Sequence, residues 1–390
     1  MYDTTQLDYG PVRADEIDAL NGLLEQALTF KVGSMAPWTQ AIGHANMRAV
    51  RRNGRAVAGI GIIPMGHYFG GRSVRAGGIT AVGVAPDQRG SGVGLWMLRQ
   101  SLEELHGQGV PIATLYPATT AFYRRAGYER AAQRIIYEVP IAAMGVRDYT
   151  LEAVPAGPAE YATIKQLYAQ QAAQSSAFID RPEFYWNMML DPKDKPAYKF
   201  VVLREGVPEG YVLFFHATWN DPLQVRDIVA LTPAAGRRLL TLLADHRSMI
   251  ETARIPGGPN DALLFLLAEQ KQKVWWALDL MLRIVDIPSA LSARGYPPGL
   301  AGELHLEVHD ELLPWNHGRF VLELADGCGQ VRSGGQGHIR LHVRELAALY
   351  SGYMTPLELG RAGTLDGPEA DLAFATLAFA GPRPWTPDMF

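Results

Sequence analysis

The chain has 390 residues, 48% hydrophobic and 19% charged, with a formal net charge of −4. That length exceeds one ordinary core and predicts two or three domains, while a mildly acidic chain lacks the basic face that a nucleic-acid partner requires. A single cysteine, Cys328, excludes an internal disulfide framework and, with no signal peptide and no run of 18 apolar residues, leads to the expectation of a cytoplasmic protein without a membrane partner.

In chain order, residues 7–12 read as a strand. Asp15 is placed to cap a helix running to about Thr29, with Ile17, Leu20, Leu23, Leu24 and Leu28 on its apolar face. A loop containing Gly33, Pro37 and Trp38 follows. Residues 47–51 and 56–63 form strands around an Asn53-Gly54 hairpin turn, and Gly70-Gly71 turns the chain into a strand that closes at Val84. Arg89-Gly90-Ser91-Gly92-Val93-Gly94 then opens a helix periodic in Val93, Met97, Leu98 and Leu105. Unpaired N–H groups and the helix dipole make that start an anion site. The spacing is neither G-x-G-x-x-G nor G-K-[ST]. A strand at 110–116, a short helix within 119–128 and a strand at 135–139 complete an α+β unit near residue 142.

The plan repeats. A strand starts at Leu151, Pro158 opens a helix bearing Tyr161, Ile164 and Leu167, strands follow at 201–203, 211–215 and 225–231, and a helix covers 237–246. At the corresponding loop, Thr232-Pro233-Ala234-Ala235-Gly236 keeps one glycine, which predicts a degenerate copy. Residues 282–288 read as a last strand leading into a linker. A third unit has strands at 302–308, 320–324 and 339–343, helices at 344–351 and 369–379, and a Pro-rich tail at 381–390. His305 and His309 have a metal-like spacing on one strand face, but lack a third ligand, so no metal is expected. Cys328 lies in a turn and reads as a structural thiol.

The Arg89 to Gly94 spacing, following Val82-Gly83-Val84-Ala85-Pro86, resembles the acetyl-CoA pyrophosphate loop of the GNAT N-acetyltransferases. Phe122-Tyr123-Arg124-Arg125-Ala126-Gly127-Tyr128 resembles the helix and turn that close that core. The order of units, together with residues 282–288 and the tail Pro384-Trp385-Thr386-Pro387-Asp388-Met389-Phe390, is similar to the enhanced intracellular survival (Eis) family. The resemblance implies an α+β chain of tandem GNAT-like domains followed by a sterol-carrier-like domain. Residues 1–147 would be catalytic, 148–285 a degenerate copy, and 286–390 the carrier-like domain whose tail enters the active site.

It also implies transfer of acetyl from acetyl-CoA, without a metal, to a primary amine of a small molecule, aminoglycoside-like or polyamine, or to a lysine side chain, by a homohexamer. On the same resemblance, Val82, Gly83 and Val84 hold the pantetheine and thioester through their backbone, where the strand splays from its neighbour. Arg89, Gly90, Ser91, Gly92, Val93 and Gly94 take the pyrophosphate. Tyr123 is the general acid, its phenol matching a thiolate leaving group, and the α-carboxylate of Phe390 is the general base. Trp38 would wall the acceptor site. Where family members carry acids, this chain has Leu28-Thr29-Phe30-Lys31-Val32 and Met389, which removes charge a polycationic aminoglycoside would meet; Asp388 and Glu25 could partly substitute. The competing reading is a lipid- or hydrophobe-binding protein with a vestigial GNAT unit, against which the intact loop and Tyr123 argue.

Overall fold

The computed structural model describes residues 6–145, 147–192, 196–218 and 221–390. The first unit supplies β1 (Leu7–Pro11), β2 (Met47–Arg52), β3 (Arg55–Phe69), β4 (Arg72–Val84), β5 (Ile112–Leu115) and β6 (Glu129–Pro140). The second supplies β7 (Glu152–Pro155), β8 (Ile179–Asp180), β9 (Tyr198–Arg204), β10 (Val207–Phe215), β11 (Leu223–Ala230), β12 (Thr252–Gly257) and β13 (Lys273–Ile284). All thirteen form one sheet, ordered β1-β2-β3-β4-β5-β13-β6-β12-β11-β10-β9-β7, with β8 paired on β3. The tight Asn53-Gly54 turn is present, both residues at positive φ (53° and 78°), the geometry of a two-residue hairpin.

The two units do not close separately, as the expected unit ending near residue 142 would have done. Strand β13 lies between β5 and β6, while β6 pairs with β12, so each unit completes the other's sheet with its own last strand. The exchange buries both strands against apolar neighbours: Leu280, Met281, Leu282 and Ile284 of β13 are fully enclosed.

Helices α1 (Ile17–Leu28), α2 (Met35–Ile42), α3 (Val93–Gly107) and α4 (Thr120–Arg124) belong to the first unit; α5 (Tyr161–Ala173), α6 (Glu183–Leu190), α7 (Pro233–Ala244) and α8 (Ala262–Phe265) to the second. Helix α2 replaces the loop expected around Trp38. Glu25 Oε1 accepts the N–H of Met35 at 3.0 Å, and Thr39 donates to Asn21 Oδ1 at 3.0 Å. Pro37 sits in the first turn, where a missing N–H costs nothing. Asp15 falls inside a 3₁₀ turn, Ala14–Glu16, and does not cap α1.

The third unit opens directly with α9 (Ile287–Ala293), where the linker was expected, because Asp286 caps it by accepting the N–H of Ser289 at 2.9 Å. Its five-stranded sheet contains β14 (Gly302–His309), β15 (Gly318–Ala325), β16 (Cys328–Ser333), β17 (Ile339–His342) and β18 (Leu365–Asp366), ordered β16-β15-β14-β17-β18. Helices α10 (Val343–Ser351), α11 (Pro356–Arg361) and α12 (Glu369–Ala378) complete it. His305 and His309 lie on the outer face of β14, the buried set being Leu304, Leu306 and Val308. Exposed Cys328 begins β16 after the 326–327 turn and accepts from Arg72 Nη2 at 2.9 Å.

Arg283 of β13 ties the swapped strand to the third unit. Its side chain is wholly buried and Nη2 donates to Asp310 Oδ2 at 2.6 Å. The guanidinium lies under Gly127, where a Cβ would be 2.7 Å from Cζ. Removing one partner of such a pair strands a buried charge, at a cost of about 3–5 kcal/mol. Asp310→Asn should therefore lower the urea midpoint sharply, and Arg283→Met added to it should recover most of the loss.

Candidate active site

Strand β4 is bulged near its end. Its register with β3 shifts between Gly61↔Thr80 and Gly59↔Gly83, and Ala81 adopts φ 50°. Its parallel pairing with β5 spans only Ala76–Ile79 against Ile112–Leu115. Residues 80–84 therefore run on with no β5 partner, opening a wedge between the strands. On the side facing β5 this backbone, which includes Val82, Gly83 and Val84, has left its ladder and presents free N–H and C=O groups, while Gly83 and Val84 stay paired with Gly59 and Ala58 of β3.

Beyond Val84 the chain makes a 3₁₀ turn, Pro86–Gln88, and enters α3 through Gly90 (φ 76°) and Gly92 (φ 84°). Both conformations are left-handed, which is the reason for glycine there. Ser91 donates to Gln88 O at 2.6 Å and fixes the loop. Trp96 N–H bonds back to Gly92 O at 3.1 Å. Among the described residues, the N–H groups of Gly90, Ser91, Gly92, Val93 and Gly94 have no protein acceptor. Arg89 is exposed beside them, its Nη2 donating to Ala27 O at 2.8 Å. These donors fit a diphosphate, which needs several converging N–H groups at a helix start.

Gly94 joins the loop to the Tyr123 helix. A Cβ there would lie 3.1 Å from Phe122 Cζ and 3.4 Å from Val84 Cγ2. The Tyr123 ring packs edge-on to Phe122 and Tyr128, with centroids at 5.1 and 6.0 Å. Burial alone pushes its phenol up to about 12, so it is protonated across the physiological range. Tyr128 is fully enclosed, its hydroxyl without a partner among the described residues.

The tail reaches the same wedge from the other side. Gln133 N–H donates to Pro384 O at 3.3 Å, Thr386 N–H to Gln133 O at 3.0 Å, and Trp385 N–H to Ser176 O at 3.0 Å. Arg134 Nε holds Pro387 O at 2.9 Å, and Tyr116 Oη holds Asp388 O at 2.5 Å. Tyr185 Oη donates to Met389 O (2.9 Å) and accepts from Met389 N–H (3.0 Å). Phe390 is 9% exposed. Its ring stands 5.5 Å from that of Tyr116 and 6.4 Å from that of His67, and a Cβ on Gly78 would lie 3.1 Å from it. Phe390 thus sits where β4 and β5 begin to part. Its ring makes no ring contact with Tyr123, which lies on the loop side.

Asp388 is only 2% exposed. Arg181 Nε lies 3.0 Å from both carboxylate oxygens, and Tyr168 Oη donates to Oδ2 at 3.0 Å. Arg181 Nη1 also reaches Asp227 Oδ2 at 2.6 Å. Burial pushes the Asp388 carboxyl up, against the pull of Arg181. Asp388 and Glu25, the acids expected to substitute for absent ones, are thus both already engaged, Glu25 at the start of α2. Trp38 is a half-buried residue on α2, packed against the core.

The second unit keeps the wedge and loses the cradle. Strands β11 and β12 pair only at Leu223↔Ala253 and Gln224↔Arg254. At the start of α7, Thr232 Oγ1 accepts the Ala235 N–H at 3.1 Å, Gly236 N–H turns to Thr232 O at 3.0 Å, and Pro233 has no N–H to offer. A cavity of about 400 Å³ remains there, walled in part by Trp385. Tyr116, Tyr168, Arg181 and Tyr185 went unnoticed in the sequence. Only Tyr116, at the end of an expected strand, carried a positional signal. Among the described residues, no group of three or more His, Cys, Asp or Glu is arranged to hold a metal, and no helix is long and apolar enough to cross a membrane.

The fold and this wedge define a GNAT acyltransferase. A model for an acetyltransferase (GNAT) domain matches residues 8–131, another matches 177–284, and a sterol carrier protein domain matches 287–387. An uncharacterized N-acetyltransferase of Streptomyces avermitilis is 31% identical over 347 residues, covering 82% of this chain and 83% of that one. The N-acetyltransferase Eis of Mycobacterium bovis is 28% identical over 320 residues, 76% and 75% of the two chains. A GCN5-related N-acetyltransferase from Anabaena variabilis superposes with a TM-score of 0.95 at 36% identity, covering 98% of this chain and all of that one. Eis1 from Mycobacterium abscessus, at 21% identity and a TM-score of 0.82 over 98% of this chain and all of that one, shares the fold. The chain belongs to the Eis-like GNAT N-acetyltransferases that carry a C-terminal sterol-carrier domain.

His67, beside Phe390, is held neutral. Its Nδ1 lies 3.0 Å from Ala177 O and its Nε2 2.9 Å from Thr114 Oγ1, and burial lowers it to about 4. The unfolded chain, titrating near 6.5, then binds more protons between those values, so stability is lost as pH falls through that window, by up to about 3 kcal/mol. Urea midpoints at pH 7 and pH 4.5 should differ more for the wild type than for His67→Gln.

Proposed function

We propose that the enzyme transfers acetyl from acetyl-CoA to a primary amine, of a small molecule or a lysine side chain, within the unit formed by residues 1–147, with 148–285 and 286–390 as the degenerate and carrier-like units. The observation that carries this reading is the tail, which brings the chain's last residue to the parting of β4 and β5, opposite a helix start rich in open N–H groups. In this reading Gly90 to Gly94, with Arg89, hold the diphosphate. The backbone of Val82 to Val84 orients the pantetheine and polarises the thioester carbonyl.

Bound acetyl-CoA supplies an acyl group activated on sulfur. The Phe390 α-carboxylate takes a proton from the acceptor ammonium, freeing its lone pair. As the new N–C bond forms and the C–S bond breaks, Tyr123 gives its proton to sulfur, and the second proton that the nitrogen sheds on becoming an amide is returned through solvent to the Tyr123 phenolate. Burial weakens Tyr123 as an acid, but the same dry site raises the basicity of a thiolate, so the two stay matched. In the same reading Trp38 walls the acceptor side. With Glu25 and Asp388 engaged, the site offers little free negative charge, which favours an acceptor with one amine over a polycationic aminoglycoside. Assembly as a homohexamer belongs to the same reading; light scattering should give six times the chain mass.

Tyr123→Phe should lower kcat by about 10²- to 10⁴-fold, the usual worth of a general acid, with acetyl-CoA affinity by calorimetry nearly unchanged. Adding two residues after Phe390 should be as damaging to turnover and as harmless to coenzyme binding. No heat on titration with acetyl-CoA would favour a hydrophobe-binding protein instead. A panel of amines followed by free-thiol release would identify the acceptor class.

A further inference from the structure

We infer that Arg181, in the second unit, is a positioning residue for the first unit's chemistry: through Asp388 it sets where the terminal carboxylate stands. This rests on the reading that the Phe390 carboxylate is the general base. A chain terminus is ordinarily frayed, and Phe390 lies two positions past its nearest charged anchor, Asp388. That anchor is deeply buried and doubly paired. Arg181 has no exposed side-chain surface and is shared by Asp227 and Asp388, at 2.6 and 2.7 Å. The Tyr168 ring lies 3.7 Å from its Cζ and that of Trp186 4.7 Å, so the fork has one orientation available. Asp227 is fixed in turn by Tyr211 Oη at 2.6 Å and the Ile228 N–H at 3.1 Å.

The framework is built across both units. Arg181 follows β8, which pairs with Gly66 and His67 of β3, while Asp227 belongs to β11. Four residues before Phe390, the main chain bonds β6 through Gln133; one residue earlier still, Trp385 covers Gly258, where a Cβ would be 2.6 Å from the indole. The wedge that lost its phosphate cradle thus holds the tail that serves the wedge that kept it. A fixed ion pair two residues from the base limits its excursion, and displacement of a reacting group by about 1 Å can cost about 100-fold in rate.

The test uses the full-length enzyme. Asp388→Asn leaves Arg181 paired with Asp227 and preserves the shape of the tail. It should lower kcat by about 10- to 100-fold, leave acetyl-CoA affinity within about twofold, and let carboxypeptidase release Phe390 faster. Arg181→Lys, which keeps the charge and loses the fork, should fall between Asp388→Asn and wild type. A wild-type kcat in Asp388→Asn, or a loss of coenzyme affinity matching the loss of kcat, overturns the inference. Enzyme carrying a carboxamide at Phe390, made by ligation, separates the two claims. If the amide is inactive and Asp388→Asn is fully active, only the positioning role fails. If the amide turns over normally, the base assignment fails and the positioning role with it.

Discussion

One guanidinium, enclosed between two carboxylates and two aromatic faces, is the constraint from which the rest of the arrangement follows. Burial works against the charge of Arg181, and Asp227 and Asp388 together more than offset it. One acid comes from the sheet and the other from the tail. Leaving the tail outside would take one of its two acids from a buried cation, so docking of the terminus stabilises the second unit. Phe390 adds the burial of an aromatic side chain, worth about 1.5–3 kcal/mol, and the hydroxyls of Tyr116, Tyr168 and Tyr185 satisfy the polar groups brought in with it.

The strand exchange makes that docking possible. Because β13 and β6 trade places, the two wedges lie in a single sheet and face a common tail. A degenerate copy of a catalytic domain would otherwise be surplus chain. Here the loss of glycines at residues 232–236 accompanies a new occupant: Thr232 and Pro233 close the helix start, and Trp385 and Asp388 fill space near the open strands. On the proposed function, one half binds the coenzyme and the other presents the terminus to it. The third unit is fastened to the exchanged strand by Arg283 and Asp310, so all three units share the same central strands.

Much of this was legible beforehand, for identifiable reasons. The Gly90 to Gly94 loop, the Asn53-Gly54 hairpin and the Gly127 turn are local, and left-handed backbone writes itself as glycine or asparagine. Periodicity gave the main strands and helices of both units, but not α2, β8, α6, β12 or α8, which are short or weakly periodic. What sequence could not carry was partnership. Nothing in residues 273–284 says that they insert between β5 and β6, since an apolar strand fits any two apolar neighbours. Arg181 is one arginine among many until Asp227 and Asp388, 46 and 207 positions away, are brought to it. Pro37 hides the helix around Trp38, whose start is completed from Glu25, ten residues earlier. The α-carboxylate of Phe390 was nominated by resemblance alone; no composition or spacing singles out a last residue.

Everything in this arrangement depends on where the terminus lies when substrates are present. A crystal structure of the full-length enzyme with CoA and an amine acceptor gives that directly. The diphosphate should lie on the N–H groups of residues 90–94, with a Phe390 carboxylate oxygen about 3 Å from the acceptor nitrogen or one water away. A coenzyme bound in that cradle with the last residues swung out of the wedge, and some other group beside the nitrogen, would contradict it.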